Sequence, residues 1–201
     1  MTRTEDDRRG RQAHPGAWTF FKRYFANPLA MGSLVPSSAS LRRIMSRSVE
    51  CGADEVVVEF GGGTGPMTRA ILEAGVPPER LWSIELDPEL AGFLAQLYPD
   101  VHVLHGDCRE IEARLPPELI GKVGTVVLGI PMVLLPVETQ REIVAAMFRI
   151  LGPGRGFLHY TFCIGSPLNR EALGLSGRRL GWTPLNVPPA SVWRYAAAAN
   201  V

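Results

Sequence analysis

One segment constrains the fold of this chain more than any other: residues 56–66 read Val-Val-Val-Glu-Phe-Gly-Gly-Gly-Thr-Gly-Pro. The β-branched run predicts a buried strand, the glycines predict a tight turn, and the proline suits the first turn of a helix. This succession is typical of α/β domains that bind a nucleotide-like ligand, because such a ligand can approach a backbone that carries no Cβ. The spacing is G-x-G-x-G, which differs from the G-x-G-x-x-G of dinucleotide-binding folds.

The rest of the chain alternates strand-like and helix-like segments, which predicts a parallel sheet covered on both faces. Strands are predicted at residues 55–60, 81–85, 101–105, 123–129, 156–162, 178–183 and 191–197. Helices are predicted at residues 38–49, 66–74, 88–97, 111–115 and 138–151, and we expect Gly152-Pro153-Gly154 to end the last one. The two final strands flank Asn186-Val187-Pro188-Pro189 and should form an antiparallel hairpin at the sheet edge. We therefore expect an α/β fold with a seven-stranded Rossmann-like sheet.

The composition fits one catalytic domain, with 201 residues, 46% apolar and 20% charged. A net charge of +1 argues against a strongly basic nucleic-acid binder, although the first 50 residues hold nine basic against four acidic side chains. The three cysteines lie far apart and no histidine stands at ligand spacing, so we expect neither disulfides nor a metal. No apolar run reaches about 18 residues and no signal-peptide core is found, so we expect a cytoplasmic protein.

The N-terminal region divides into a disordered lead at 1–16 and N-terminal helices at 17–50 that form a membrane and cofactor lid, ahead of the catalytic domain at 51–201. Residues 18–27 predict a short helix whose large side chains fall in one arc. That arc could pack on the domain or lie in a bilayer interface, and we favour the bilayer. The residues assigned to this contact are Trp18, Phe21, Lys22, Arg23 and Phe25.

Acidic residues stand at or just beyond three successive strand ends: Glu59, Glu85 and Asp107. The carboxyl ends of parallel strands share one edge of a sheet, so these carboxylates should converge. They suit S-adenosylmethionine (SAM), whose ammonium group, ribose hydroxyls and adenine amino group need acceptors and which carries no pyrophosphate. Each signal alone is weak, because a glycine turn is common, Asp87 or Glu89 can merely cap a helix, and Asp107 alone is more often a turn residue. The prediction therefore depends on the three acids together. The full predicted cofactor set is Ser33, Glu59, Gly61, Gly63, Gly65, Glu85, Leu86, Asp107, Cys108 and Gly129.

These residues resemble a known family, the soluble bacterial type of phospholipid (phosphatidylethanolamine) N-methyltransferase, within the class I SAM-dependent methyltransferases. The resemblance covers about residues 18–195. Its further marks are Asn27-Pro28, Pro36-Ser37-Ser38, Gly129-Ile130-Pro131, Tyr160-Thr161, Ser166-Pro167 and the segment 186–194. Gly62 departs from a proline often present in that family, and His159 is not a residue that the family pattern requires.

The resemblance implies a class I methyltransferase sheet with an N-terminal amphipathic helical extension. It implies SAM-dependent N-methylation of phosphatidylethanolamine, and of its mono- and dimethylated forms, towards phosphatidylcholine, with S-adenosylhomocysteine as the cofactor product. The implied partners are the phospholipid substrate and an anionic membrane surface, with no nucleic acid. The implied location is the inner leaflet of the cytoplasmic membrane.

The methyl acceptor in such a reaction must be a neutral amine, and exposing its lone pair at pH 7 costs roughly 4 kcal/mol for a pKa near 10. The carbonyls of Gly129 and Ile130 could accept the amine protons, and His159 is the one near-neutral base at hand. A satisfied structural histidine is equally compatible with the sequence. The predicted catalytic residues are Tyr24, Ile130, His159 and Tyr160. The predicted substrate contacts are Tyr24, His159, Tyr160, Arg179 and Arg194, the arginines for a lipid phosphate; a solvated hairpin edge explains those two arginines equally well.

Two other functions remain open. An rRNA adenine N6-methyltransferase should carry an N-L-P-[YF] element after the fourth strand, where this chain has Gly129-Ile130-Pro131-Met132 and lacks the stacking aromatic for a flipped adenine. A non-catalytic module would bind SAM and membranes without methyl transfer.

Overall fold

The computed structural model describes residues 38–163 and 165–198. The sequence predictions for Tyr24, Ser33 and the membrane helix at 18–27 lie outside these residues. The strands are β1 (Val56–Phe60), β2 (Leu81–Glu85), β3 (His102–His105), β4 (Val123–Leu128), β5 (Leu151–Thr161), β6 (Leu175–Thr183) and β7 (Ala190–Ala197). The α-helices are α1 (Ala39–Ser46), α2 (Pro66–Glu73), α3 (Pro88–Leu97), α4 (Ile111–Arg114) and α5 (Val137–Ile150). Short 3-10 turns lie at Pro78–Arg80, Cys108–Glu110, Pro117–Leu119 and Met132–Leu134.

The seven strands form one sheet in the order β3-β2-β1-β4-β5-β7-β6. Strands β1 to β5 are parallel, and β7 is antiparallel to both of its neighbours, so the predicted α/β fold with a C-terminal hairpin is confirmed. The chain reverses its direction of winding between β1 and β4, and ligands of open α/β sheets bind at the carboxyl ends of strands next to such a reversal. We call the end of the sheet where β1 to β5 terminate the carboxyl edge.

Helices α1 and α2 cover one face of the sheet because their apolar positions recur with helical spacing. The core cluster on this face contains Leu41, Met45, Met67, Ala70, Ile71, Val57, Val127, Leu158 and Val192. Helix α1 begins after Ser38, whose hydroxyl accepts a hydrogen bond from the Leu41 amide at 3.2 Å. Leu41 and Met45 are fully buried, and Ile44 and Val49 pack against the same cluster. Helix α1 therefore belongs to the compact unit that holds the sheet.

The prediction that Gly152-Pro153-Gly154 ends the last long helix is wrong. Helix α5 ends at Ile150, and Leu151 is already extended (φ −64, ψ 142) as the first residue of β5. Residues 152–155 lie in an irregularity of that strand, between Leu151 paired with Val123 and Gly156 paired with Thr125. The Ile150 carbonyl accepts a hydrogen bond from the Gly121 amide at 3.0 Å, so a tertiary contact satisfies the helix end and no glycine cap is needed.

None of the helices in the described part of the chain is both long and apolar enough to cross a membrane.

Candidate cofactor and acceptor site

Glu59 lies near the end of β1 and is fully buried. Its Oε2 accepts hydrogen bonds from the Thr68 hydroxyl at 2.6 Å and the Ser83 hydroxyl at 2.8 Å. Its Oε1 is buried and has no hydrogen-bond partner among the described residues. Burial raises the pKa of the Glu59 carboxyl to about 7, against the lowering effect of the two hydroxyls. A buried carboxylate with one oxygen that lacks a hydrogen-bond partner is suited to a cationic or hydrogen-bond-donating ligand group.

The glycine turn after β1 is tight on one side and open on the other. A Cβ at Gly62 would lie 2.4 Å from the Ser83 hydroxyl and 2.5 Å from Leu94 Cδ2, so this position admits no larger residue without rearrangement. At Gly63 a Cβ would meet nothing within 4 Å, and its φ of +54 is in the left-handed region. Gly61 and Gly65 also have positive φ. The turn therefore packs closely against β2 and α3 through Gly62 and leaves free space beside Gly63.

Glu85 ends β2 and joins the glycine turn to the start of α3. Its Oε2 accepts a hydrogen bond from the Gly63 amide and its Oε1 accepts one from the Asp87 amide, each at 2.9 Å. Leu86, the next residue, is exposed. Two backbone bonds fix the carboxylate at the carboxyl edge, and each oxygen keeps further acceptor capacity for a ligand hydroxyl.

Asp107 follows β3, and its carboxylate is already paired within the protein. It accepts hydrogen bonds from the Arg109 amide at 2.9 Å and from the Arg109 guanidinium, which also binds Glu142 at 2.6 Å. Burial raises the pKa of Asp107, but the Arg109 hydrogen bonds outweigh it and the net shift is downwards. Cys108, whose backbone was assigned to adenine, is buried, and burial raises the pKa of its thiol. An adenine amino group at Asp107 would have to share the carboxylate with Arg109.

The segment after β4 forms a tight turn. The Gly129 amide donates to the Phe60 carbonyl at 2.8 Å, and a Cβ on Gly129 would lie 2.5 Å from the Gly61 carbonyl oxygen, so the two strand ends touch. Pro131 has φ −74 and ψ 77, and the Ile130 carbonyl accepts a hydrogen bond from the Met132 amide at 2.8 Å. These are the features of an inverse γ-turn. Ile130 itself lies next to the glycine turn, since a Cβ on Gly61 would lie 3.1 Å from Ile130 Cγ1, and the Ile130 carbonyl oxygen keeps a second lone pair.

His159 and Tyr160 lie on opposite faces of β5. The register aligns Glu59 with Ser83 and with Val127, and Val127 with Leu158, so all four share the face covered by α1 and α2. Tyr160, two residues beyond Leu158, is on that face and packs against its core cluster. Tyr160 therefore shares a face with Glu59, whereas His159 does not.

His159 is a buried, neutral histidine. Its Nδ1 donates a hydrogen bond to the Leu128 carbonyl at 2.9 Å, and burial lowers its pKa to about 4. A group with this pKa is a weak base at neutral pH. The geometry favours a positioning role for His159 at the end of β4.

The two arginines proposed for a lipid phosphate differ in their surroundings. Arg194 lies on β7 opposite Leu158, away from the carboxyl edge, and its guanidinium pairs with Glu50. That hydrogen bond lowers the pKa of Glu50. Arg179 is exposed on β6 with its guanidinium carbon 6.0 Å from the Trp193 ring centroid. Neither arginine is placed beside Glu59 by these contacts.

Comparison with known proteins identifies the family. No family model matches the chain. The ornithine lipid N-methyltransferase of Singulisphaera acidiphila is 32% identical over 145 residues, which cover 71% of this chain and 76% of that protein. The chain belongs to the family of this SAM-dependent methyltransferase.

More distant proteins match a shorter stretch of the chain or its fold alone. The ribosomal RNA small subunit methyltransferase A of Chlorobium phaeobacteroides is 32% identical over 87 residues, which cover 41% of this chain and 31% of that protein. The crystal structure of a TehB-like SAM-dependent methyltransferase from Corynebacterium glutamicum superposes with a TM-score of 0.57 and 16% identity, covering 92% of this chain and all of that one. At that identity the likeness shows the fold alone.

The residues of this methyltransferase fit SAM at its amino-acid end and at its ribose. The unpaired Glu59 Oε1 is a buried acceptor that could bind the ammonium group, there is free space beside Gly63, and Glu85 has lone pairs that could accept from hydroxyls. The predicted adenine contact at Asp107 stays a prediction, with Arg109 as its competitor.

Sequence reasoning missed the residues that support these acids and the glycine turn. Thr68 and Ser83 bond Glu59, Arg109 clamps Asp107, and the Tyr98 hydroxyl donates to the Gly65 carbonyl at 3.3 Å. Ser83 carried a usable signal, because it is a polar residue inside an otherwise apolar strand, two positions before Glu85 and hence on the same face. The others carried none.

Proposed function

We propose that this methyltransferase transfers the SAM methyl group to the amine of a membrane-lipid head group at the bilayer surface. The observation that carries the proposal is the 32% identity to a lipid N-methyltransferase over 76% of that protein's length. The rRNA methyltransferase match reaches only 31% of its own relative. The similarity to the lipid enzyme therefore covers a much larger share of both chains than the similarity to the rRNA enzyme does.

Two head groups are candidates for this chemistry. The relative's name supports an amine of ornithine lipid, and the sequence motifs that resemble phosphatidylethanolamine N-methyltransferases, such as Gly129-Ile130-Pro131 and the segment 186–194, support phosphatidylethanolamine. Both present an amine that is protonated in water and must lose a proton before it can be methylated. One assay with both lipids separates them.

The chain itself supplies positioning, and SAM, when bound, supplies an electrophilic methyl group. The inverse γ-turn at Pro131 fixes Ile130 next to the glycine turn, and the free lone pair of the Ile130 carbonyl can accept a hydrogen bond from the attacking amine, whose proton leaves to solvent. His159 bonds the Leu128 carbonyl and so supports the strand end from the opposite face. Tyr160, on the same face as Glu59, is the candidate contact for an amine that becomes a methylated cation. Holding the amine in line accounts for a large part of such a rate enhancement.

Methylation of an RNA adenine is disfavoured by Met132. The position after Gly129-Ile130-Pro131 should present a side chain that stacks on a flipped base. Here Met132 is fully buried as the first residue of a 3-10 turn. A buried thioether offers no stacking surface.

The test uses the full chain, labelled SAM and vesicles of phosphatidylglycerol that contain phosphatidylethanolamine, ornithine lipid or neither, with small-subunit rRNA as a further acceptor. We expect label in an amine lipid and none in rRNA or in amine-free vesicles. The Glu59→Gln variant should lose most of this transfer. Label in rRNA alone, or SAM binding without transfer to any acceptor, would contradict the proposed function.

A further inference from the structure

Exposed apolar side chains are concentrated at the carboxyl edge. Of the ten large apolar side chains exposed in the described part of the chain, eight lie at or beyond strand ends there: Leu86, Val133, Leu134, Val137, Phe162, Trp182, Leu185 and Val187. The other two, Phe93 and Leu97, lie on α3. An apolar rim of this kind marks an interaction surface.

The most exposed members belong to the β6–β7 turn, residues 184–189. Leu185 is 75% exposed and Val187 is 69% exposed, and Trp182 at the end of β6 is 52% exposed. Because β6 and β7 pair Thr183 with Ala190, the turn projects from the same edge as the ends of β1 to β5. The turn therefore projects from the same edge as the cofactor and acceptor site, and the start of β7 pairs with the end of β5 that holds Tyr160.

The turn presents these side chains from a fixed backbone. Asn186, between Leu185 and Val187, is fully buried. Its Oδ1 accepts a hydrogen bond from the Ser38 amide at 2.9 Å, and its Nδ2 donates to the Pro188 carbonyl at 3.0 Å. The exposed pair thus flanks a residue locked to the start of α1, so little conformational entropy remains to be lost when the pair is buried by a partner.

Cationic residues stand behind the turn. Helix α1 runs alongside β6, with Ser40 bonded to Thr183 and Ile44 next to Gly181. Arg43 on α1 and Arg47 at the C-cap of α1 are exposed, and no carboxylate of the described residues forms a salt bridge with them. At 1.5 Å per residue they lie about 4.5 and 10.5 Å along the helix direction from Ser40. This spacing matches a bilayer interface, where apolar groups enter about 5–10 Å and cations remain among the head groups.

We propose that the β6–β7 turn inserts Leu185 and Val187 into the bilayer interface, with Trp182 at its boundary and the α1 arginines on anionic head groups. The partner is a lipid surface, because exposed apolar side chains with arginines behind them are complementary to acyl chains beneath anionic phosphates. Insertion brings the carboxyl edge down to the head groups. The inference rests on the proposed function only in that the methyl acceptor is a lipid.

Vesicle binding without SAM tests the turn separately from catalysis. The probe is a phosphatidylglycerol and phosphatidylcholine vesicle with no primary-amine lipid. The full chain carrying Leu185→Gln and Val187→Gln should bind at least about tenfold more weakly than the unaltered chain, which corresponds to about 1.4 kcal/mol. The matched control carries Phe93→Gln and Leu97→Gln, which removes two apolar side chains that are each 48% exposed, and it should bind within about twofold of the unaltered chain. Equal binding by the turn variant and the unaltered chain overturns the proposal.

A fluorescent label reports insertion directly. An environment-sensitive dye on Leu185→Cys, in a Cys163→Ser background that removes the exposed thiol, should brighten and shift to the blue with the same vesicles. The same dye on Asp54→Cys, exposed ahead of β1 at the opposite end of the sheet, should change little. No change at position 185, or equal changes at both positions, overturns the proposal.

Two further measurements distinguish the membrane proposal from a protein contact at the turn, and its failure from a failure of the proposed function. If the Leu185→Gln/Val187→Gln variant changes its sedimentation without vesicles and still binds vesicles normally, the turn is a protein contact and the proposal is wrong. Methyl transfer to detergent-dispersed amine lipid should survive in this variant, because the site is intact. Loss of vesicle binding with that transfer retained supports the proposal, and retained vesicle binding with active transfer overturns it while leaving the proposed function in place.

Discussion

Replacing Glu59 with Gln should stabilise the cofactor-free protein and weaken its binding of SAM. Glu59 is fully buried, and burial raises the pKa of its carboxyl from 4.5 to about 7. A shift of this size corresponds to roughly 3 kcal/mol of destabilisation once the carboxyl is ionised. The folded state binds this proton more tightly than the unfolded chain, so the cost is absent below about pH 4.5 and complete above about pH 7.

The stability arm compares urea unfolding of the Glu59→Gln variant and the unaltered chain. Gln can keep the hydrogen bonds from Thr68 and Ser83 through its carbonyl oxygen. The difference in the free energy of unfolding should therefore move in favour of the variant by about 3 kcal/mol between pH 4.5 and pH 8. The matched control is Glu89→Gln, an exposed acid in the first turn of α3, for which the difference should stay within about 0.5 kcal/mol.

The binding arm uses calorimetry with SAM. An ammonium group requires the ionised carboxylate, so the affinity of the unaltered chain should fall about 25-fold between pH 7.5 and pH 5.5 for a pKa near 7. The Glu59→Gln variant should show no such pH dependence. At pH 7.5 it should bind roughly 10- to 150-fold more weakly, because a hydrogen bond to a charged group contributes about 1.5–3 kcal/mol.

Two results would refute this reasoning. A stability difference that does not change with pH would mean that Glu59 does not titrate in the folded protein. A SAM affinity that is flat from pH 5.5 to 7.5 in the unaltered chain and unchanged in the variant would remove Glu59 from the cofactor site.

The remaining predictions concern packing and a buried histidine. Gly62→Ala should cost about 1–3 kcal/mol of stability and weaken SAM binding, because its Cβ would lie 2.4 Å from Ser83 Oγ; Gly92→Ala, in an open helical position, should instead stabilise by roughly 0.5–1 kcal/mol in the same thermal and urea measurements. The lowered pKa of His159, about 4, means that the unfolded chain binds its proton more tightly, so stability should fall by roughly 3 kcal/mol as the pH drops from 6.5 to 4. His159→Gln should remove that part of the acid sensitivity in urea titrations, and an unchanged acid profile would contradict the buried neutral state.

The strands and helices could be predicted wherever local signals mark their ends. Helix α3 has its predicted bounds because Asp87 caps it through the Glu89 and Leu90 amides and a proline follows the cap. The start of β5 could not be predicted, because the bond between Gly121 and Ile150 that ends α5 joins residues far apart in sequence. Glycine and proline were taken as a local stop signal when a tertiary contact determined the boundary.

In the candidate site, too, local sequence signals could be predicted and tertiary contacts could not. Glu59 and Glu85 could be predicted because each stands at the end of an apolar strand, and parallel strands bring such ends together. The pairing of Asp107 with Arg109 depends on a rotamer, which the sequence pattern does not reveal. The burial of His159 depends on β7 lying beside β5, a contact made by residues more than thirty positions away.

Glu85 has a consequence for turnover. Its two oxygens already fasten the glycine turn and the start of α3, and each has a lone pair left for a ribose hydroxyl. A nucleoside bound at this proposed contact would therefore add bonds to the carboxylate without breaking those it has. The product S-adenosylhomocysteine could then be replaced by SAM while the Glu85 bonds to the Gly63 and Asp87 amides stay formed. This part of the site would not have to rearrange in each catalytic cycle.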